Sequence, residues 1–343
     1  MLTGGKTGAA VIAFVRAMGL ALGCLAANLA CAIGYATAAS CVLKRTGSAD
    51  INIVNDRVLV PVTLNGHRAT LVLATADAVT VISSAYVRLF GLKQDHHRVV
   101  EPWVSADWAR EMVIAPDLMT IGSQRYRGVR VIAAPDESSA SADTAPVIGR
   151  LGMGLLGMED FEIDFANKKL NFYSSDHCPG AVVYWTDRYA WVRIVPGNHV
   201  LYFPMELEGR TILAMLSTGT PMTSLFTDVT RKLFGFDESS AGIETETEGS
   251  GHVPSHYRTM TLTGRGMTFA NARVRLVPVP TSVDRDANAG CDLIVEGTVG
   301  VAYYERCTDR APLTLGLNVL RHLHLYFAMR ERFLYFSEAT ATK

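Results

Sequence analysis

One pattern occurs twice in this chain, and the spacing between its copies limits what the chain can fold into. The first copy runs Val60-Pro61-Val62-Thr63-Leu64-Asn65-Gly66, continues through His67 to Leu73, and reaches Ala74-Thr75-Ala76-Asp77. The second runs Phe203-Pro204-Met205-Glu206-Leu207-Glu208-Gly209, continues through Arg210 to Leu216, and reaches Ser217-Thr218-Gly219-Thr220. Pro61 and Pro204, Gly66 and Gly209, and Thr75 and Thr218 all keep one offset of 143 residues. A constant offset is the mark of an internal repeat, so two copies of one structural unit are expected.

Each copy has the signals of a hairpin feeding a loop. Val58, Val60, Val62 and Leu64 alternate with Leu59, Pro61 and Thr63, which is the period of a strand. Asn65-Gly66 is a strong two-residue hairpin turn. A second strand then carries a triplet of small residue, Thr and small residue to its end. Further on, Leu118 to Ile121, the turn Gly122-Ser123 and Tyr126 to Ile132 answer to Met260 to Thr263, Gly264 and Phe269 to Val277, with Tyr126 and Phe269, and Val131 and Val274, at the same offset. The repeat therefore covers most of each unit.

In these residues the chain resembles the retropepsin-like aspartic proteases, in their tandem, exported bacterial form. That family carries Asp-Thr-Gly-Ala-Ser after the second strand, then an apolar run and a short helix ending near Gly. Val79-Thr80-Val81-Ile82-Ser83 with Arg88-Leu89-Phe90-Gly91-Leu92 fits the first unit, and Arg231-Lys232-Leu233-Phe234-Gly235-Phe236 fits the second. The resemblance implies an all-β fold with short helices, built as two homologous acid-protease-type barrel lobes related by pseudo-twofold symmetry. The lobes are expected at 41–180 and 181–338, joined through Phe172 to Gly180 without a long linker.

The family's catalytic Asp is absent from both copies. Its positions are Ala74, followed by Thr75 and Ala76, and Ser217, followed by Thr218 and Gly219. Aspartic proteolysis needs two carboxylates sharing one proton around a water, one acting as base and the other as acid. Ala74 cannot exchange a proton, and Ser217 without a base is not activated. Ala76, where the family has Gly, adds a Cβ at the point where the loops approach and is expected to splay them. Asp77 is the fallback acid; the competing reading is a hydrogen bond to nearby loop amides.

The closing segment that supports the loops is expected from Leu151 to Phe172 in the first unit, with Leu155-Leu156-Gly157 or Ile148-Gly149 as its apolar pair and Gly, and at Leu315-Gly316 in the second. Gly152-Met153-Gly154-Leu155-Leu156-Gly157 spells a dinucleotide fingerprint, but without the buried strand before it and the long helix after it that phosphate binding requires. Flaps are expected at about 95–108 and 237–257. Pro135 to Pro146 reads as a loop, and 284–307 as an insertion in the second unit. His96, His97, His252, His256, His322 and His324 are read as surface or packing residues, and no metal or cofactor is expected.

The N-terminus reads as a targeting segment. Lys6 and Arg16 precede an uncharged stretch from Met18 to Ala39 with small residues at its end, so 1–39 is taken as a signal peptide. The alternatives are a retained membrane anchor and a lipid anchor on Cys41. Of six cysteines, Cys41, Cys178, Cys291 and Cys307 follow this segment, an even number that suggests two disulfides in an exported chain. Cys291 with Cys307 and Cys41 with Cys178 is the expected pairing. A net charge of −1 over 343 residues gives no footprint for nucleic acid. The expected partner is an extended peptide or protein segment held between the lobes without being cut, and the alternative is an active endopeptidase using a non-standard acid. A purely structural envelope protein is the third reading.

Overall fold

The computed structural model describes residues 42–93, 112–134, 145–196, 200–247, 253–279 and 311–341. The first expected flap, Pro135 to Pro146 apart from its last two residues, the insertion, the N-terminal segment and three of the four candidate cysteines lie outside them. Among the described residues, no helix is long and apolar enough to cross a membrane.

The first lobe is built on β2 (Asn52–Val54), β3 (Arg57–Leu64), β4 (His67–Leu73), β5 (Val81–Ser83), β6 (Met112–Ile114), β7 (Met119–Ile121), β8 (Gln124–Tyr126), β9 (Val131–Ala134) and β10 (Val147–Leu151). These form one sheet in the order β6-β9-β5-β10-β4-β3-β7-β8, with β2 on β3. The second lobe repeats it with β14 (Val195–Pro196), β15 (Leu201–Leu207), β16 (Arg210–Leu216), β17 (Thr223–Phe226), β18 (Glu244–Glu246), β19 (Ser255–Gly264), β20 (Met267–Val277) and β21 (Leu313–Leu315). The chain is thus an all-β, two-lobed fold of the aspartic-protease type, and the helices among the described residues are short.

The repeat extends to the turns. Asn65 and Gly66 both take positive φ, as do Glu208 and Gly209, which is the two-residue turn whose twist matches its flanking strands. Asn65 exchanges bonds with Leu118: its amide donates to the Leu118 carbonyl at 2.9 Å, and its Oδ1 accepts from the Leu118 amide at 3.1 Å. Glu208 does the same with Thr261, donating to its carbonyl at 2.9 Å and accepting its amide at 2.5 Å. Each side chain therefore pins its hairpin to the next strand.

A third sheet joins the lobes. It is formed by β1 (Arg45–Asp50), β11 (Asp160–Asp164), β12 (Lys169–Tyr173), β13 (Ala190–Arg193), β22 (Leu323–Ala328) and β23 (Phe333–Glu338), in the order β1-β12-β11-β22-β23-β13. β11 and β22 run antiparallel at its centre, with Phe161 opposite Phe327. Those two rings stack at 4.2 Å, and Phe161, Ile163, Leu325 and Phe327 belong to one apolar cluster that reaches into both lobes. Stacking adds about 0.5–1.5 kcal/mol beyond area burial, so the seam is held by core packing as well as by the ladder.

Candidate functional site

The loops that follow β4 and β16 meet in the interior. Ala74, Thr75, Ser217 and Thr218 are all buried. The Thr75 amide donates to the Thr218 hydroxyl at 3.2 Å, and the Thr218 amide donates to the Thr75 hydroxyl at 3.1 Å. Each hydroxyl in turn donates across to the strand end of the other lobe: Thr75 to the Leu216 carbonyl at 3.0 Å and Thr218 to the Leu73 carbonyl at 2.7 Å. Neither threonine's backbone amide is buried unpaired, which helps two irregular loops to meet here.

The expected splay does not occur. The Thr bonds are closed on both sides, and Ala76 instead packs, as Ala78 does, against the second-lobe cluster of Val200, Tyr202, Leu213, Met215 and Ala311. Its Cβ finds an apolar surface rather than an opposing backbone. On the other side, Gly219 lies over Ala74: a Cβ built at Gly219 would sit 3.5 Å from the Ala74 Cβ, an ordinary contact.

Support from behind comes from residues that the expected alignment passed over. The Ala74 amide donates to the Leu151 carbonyl and the Ser217 amide to the Leu315 carbonyl, both at 2.9 Å. Leu151-Gly152 is therefore the counterpart of Leu315-Gly316, and neither Leu155-Leu156-Gly157 nor Ile148-Gly149 holds that place. Gly152 donates to the Thr80 hydroxyl and Gly316 to the Thr223 hydroxyl, each at 3.1 Å. A Cβ on Gly152 would collide with the Val79 carbonyl oxygen, and one on Gly316 with the Met222 backbone. The segment that spells a dinucleotide fingerprint is thus the closing segment itself, and its first glycine is required by close approach to a loop. Its helix, Met153–Leu156, is a single turn with buried side chains.

Asp77 is held by Arg150. The guanidinium meets both carboxylate oxygens at 2.7 Å, a bidentate fork that sequence reasoning did not foresee. Both Asp77 carboxylate oxygens are thereby committed to the guanidinium. Among the described residues, the loop junction presents no carboxylate pair, and Ser217 has no His, Asp or Glu beside its hydroxyl. No group of three or more candidate metal ligands occurs among the described residues either.

The remaining candidates are dispersed. His324 is buried and bonded to Glu162 at 2.7 Å, whereas His322 is exposed and His256 lies beside the Thr245 hydroxyl at 3.2 Å. The second expected flap is described in part, as the β18–β19 hairpin arms Glu244–Glu246 and from Ser255. Cys178 is not a free thiol, and its candidate partners lie outside the described residues.

No protein-family model matches the chain, and no curated protein matches it. Among solved structures it is similar to basic 7S globulin from soybean, at 10% identity and a TM-score of 0.47, over 88% of this chain and 96% of that one. The fold assignment rests on the sheet order and the paired loops.

Proposed function

We propose that this is an exported relative of the retropepsin-like aspartic proteases that has lost peptide-bond hydrolysis and holds an extended peptide or protein segment between its lobes. The observation that carries the reading is the junction: reciprocal Thr75–Thr218 bonds keep the protease framework closed, while Ala74 and Ser217 stand where the acids would be. The framework costs nothing to keep without catalysis, since its bonds are structural; the chemistry needs the carboxylate pair. A strand-lined groove can recognise extended peptide through main-chain pairing, with side-chain pockets supplying selectivity. The tie of Asp77 to Arg150 weighs against Asp77 as a substitute acid. Export is proposed from the N-terminal segment, together with bridges Cys41–Cys178 and Cys291–Cys307.

The test is a peptide library presented to the purified mature chain from about pH 3 to about pH 8, the range in which carboxylates and histidine titrate. Saturable binding without cleavage is expected. Ala74→Asp/Ser217→Asp with Ala76→Gly is expected to cut. Cleavage by the natural chain that disappears on Asp77→Asn would overturn the proposal, and absence of any peptide binding would remove the groove from it.

A further inference from the structure

Beneath the joining sheet lies a buried ion network that plays no part in the loop junction. β11 places Asp160, Glu162 and Asp164 on one face and Phe161 and Ile163 on the other, and both faces are buried. The segment connecting the lobes covers the acidic face and brings His177 to it. The His177 side chain is 1% exposed, with Nε2 2.6 Å from Asp160 Oδ2. Its Nδ1 faces the Cys178 carbonyl oxygen at 3.2 Å and Glu331 Oε1 at 3.3 Å.

A neutral imidazole has one N–H, leaving the other nitrogen as an acceptor. At His177 both nitrogens face oxygens. Asp160 Oδ1 is already an acceptor, taking the Ser175 hydroxyl at 2.8 Å and the Met329 amide at 3.0 Å. Glu331 accepts the Gly180 amide at 3.1 Å and the Tyr335 hydroxyl at 3.0 Å, and Tyr326 lies 3.5 Å from Asp160 Oδ2. Arg330 sits at the edge, its guanidinium on the Ser175 carbonyl at 3.4 Å. On the far side of the same face, Glu162 is served by His324, Asn171, Tyr173 and Tyr184, and Asp164 lies 3.8 Å from His324 Nδ1. Two carboxylates thus converge on the His177 ring, and only a protonated ring can donate toward both. Leaving them without it would bury charge uncompensated.

We infer that His177 is a protonation-dependent clamp on the sheet that joins the lobes: as an imidazolium it ties Asp160, on β11, to Glu331, in the turn between β22 and β23. Loss of the ring proton turns one nitrogen into an acceptor facing an oxygen, and one of the two ties is replaced by repulsion. Burial, the largest single influence on His177, pulls its pKa down. The bonds to Asp160 and the Cys178 carbonyl, with the charges of Asp160 and Glu331, outweigh burial and set it above the ordinary value. The clamp is therefore fully engaged below the unfolded-chain value of about 6.5 and is released as pH rises through the higher folded value.

The experiment is nitrogen NMR of the histidine rings in the full labelled chain, read beside amide hydrogen exchange of β11 and β22 over the same pH range. Both His177 nitrogens are expected to be protonated at neutral pH, with one titration step above about 6.5. Exchange protection, corrected for intrinsic rate, is expected to be lost across that step. His177→Gln is expected to remove the step, while His322→Gln, at an exposed position, keeps it. A neutral single-tautomer ring at neutral pH overturns the proposal, as does an unchanged step in His177→Gln. The ring state of the natural chain decides the matter even if His177→Gln does not fold.

Discussion

Thr75 and Thr218 each donate a backbone amide to the other's side-chain oxygen, across 143 residues of sequence and from opposite lobes. Both hydroxyls are buried and also donate to carbonyls, so each hydroxyl takes part in two bonds and each threonine in three of one closed circuit. A retained circuit of this kind keeps the loops in register whatever stands at Ala74 and Ser217.

Thr218→Val keeps the shape of the side chain and removes its oxygen, leaving the Thr75 amide and the Leu73 carbonyl unpaired in the interior. A loss of about 1–3 kcal/mol is expected, and Thr75→Val should cost a similar amount. Because the bonds form one circuit, the double variant should lose less than the two singles together. Urea unfolding of the four proteins measures this; strict additivity would show that the threonines act independently.

Gly152→Ala and Gly316→Ala place a methyl group against the backbone of the loops that precede them. Overpacking of this sort costs about 1–3 kcal/mol, and here the neighbour is main chain, which yields less than a side chain. Gly209→Ala, at a turn with open space around it, pays only for its positive φ. Thermal melts should rank the first two below the third.

The Arg150–Asp77 fork is half open to water, with side-chain exposures of 41% and 22%. Solvent screening limits such a pair, so Arg150→Gln and Asp77→Asn should each cost less than about 1 kcal/mol. A double-mutant cycle reads the coupling. A much larger cost would mean that the fork sets the loop's conformation.

Glu162 is expected to contribute to acid sensitivity. Burial, its largest influence, pushes its pKa up, but the bonds and charge of His324 with the bonds of Asn171 and Tyr184 bring it below its ordinary value of 4.5. A group whose folded pKa is lowered stabilises above the unfolded value, and that stability is lost as pH falls through the folded one. Acid unfolding should therefore show a limb below about pH 4.5 that Glu162→Gln flattens. An unaltered limb would place the acid sensitivity elsewhere.

How much of this was legible in the sequence differs from residue to residue. The hairpins were, because Asn65-Gly66 and Glu208-Gly209 follow alternating runs and the same spacing recurs. That neither loop carries a carboxylate at the head of its triplet was equally legible, since Ala74 and Ser217 are simple readings of two aligned positions. The closing segment was misplaced in the first unit because Leu151 and Leu315 do not keep the 143-residue offset. The shared spelling Leu151-Gly152 to Leu156 and Leu315-Gly316 to Leu320 was the signal that could have found it.

Period and turn chemistry are local, so the sequence by itself determined the repeat, the strands with their turns and the absence of a carboxylate at Ala74 and Ser217. It did not determine what would cover a second face. Asp160, Glu162 and Asp164 alternate as a solvent-facing strand would, yet Asp160 and Glu162 end fully buried because the connection between the lobes folds over them. The grip of Arg150 on Asp77 and of His177 on Asp160 likewise depends on strands brought together from distant positions. Charge pairing in an interior is decided by which elements enclose it, and only the tertiary structure supplies that enclosure.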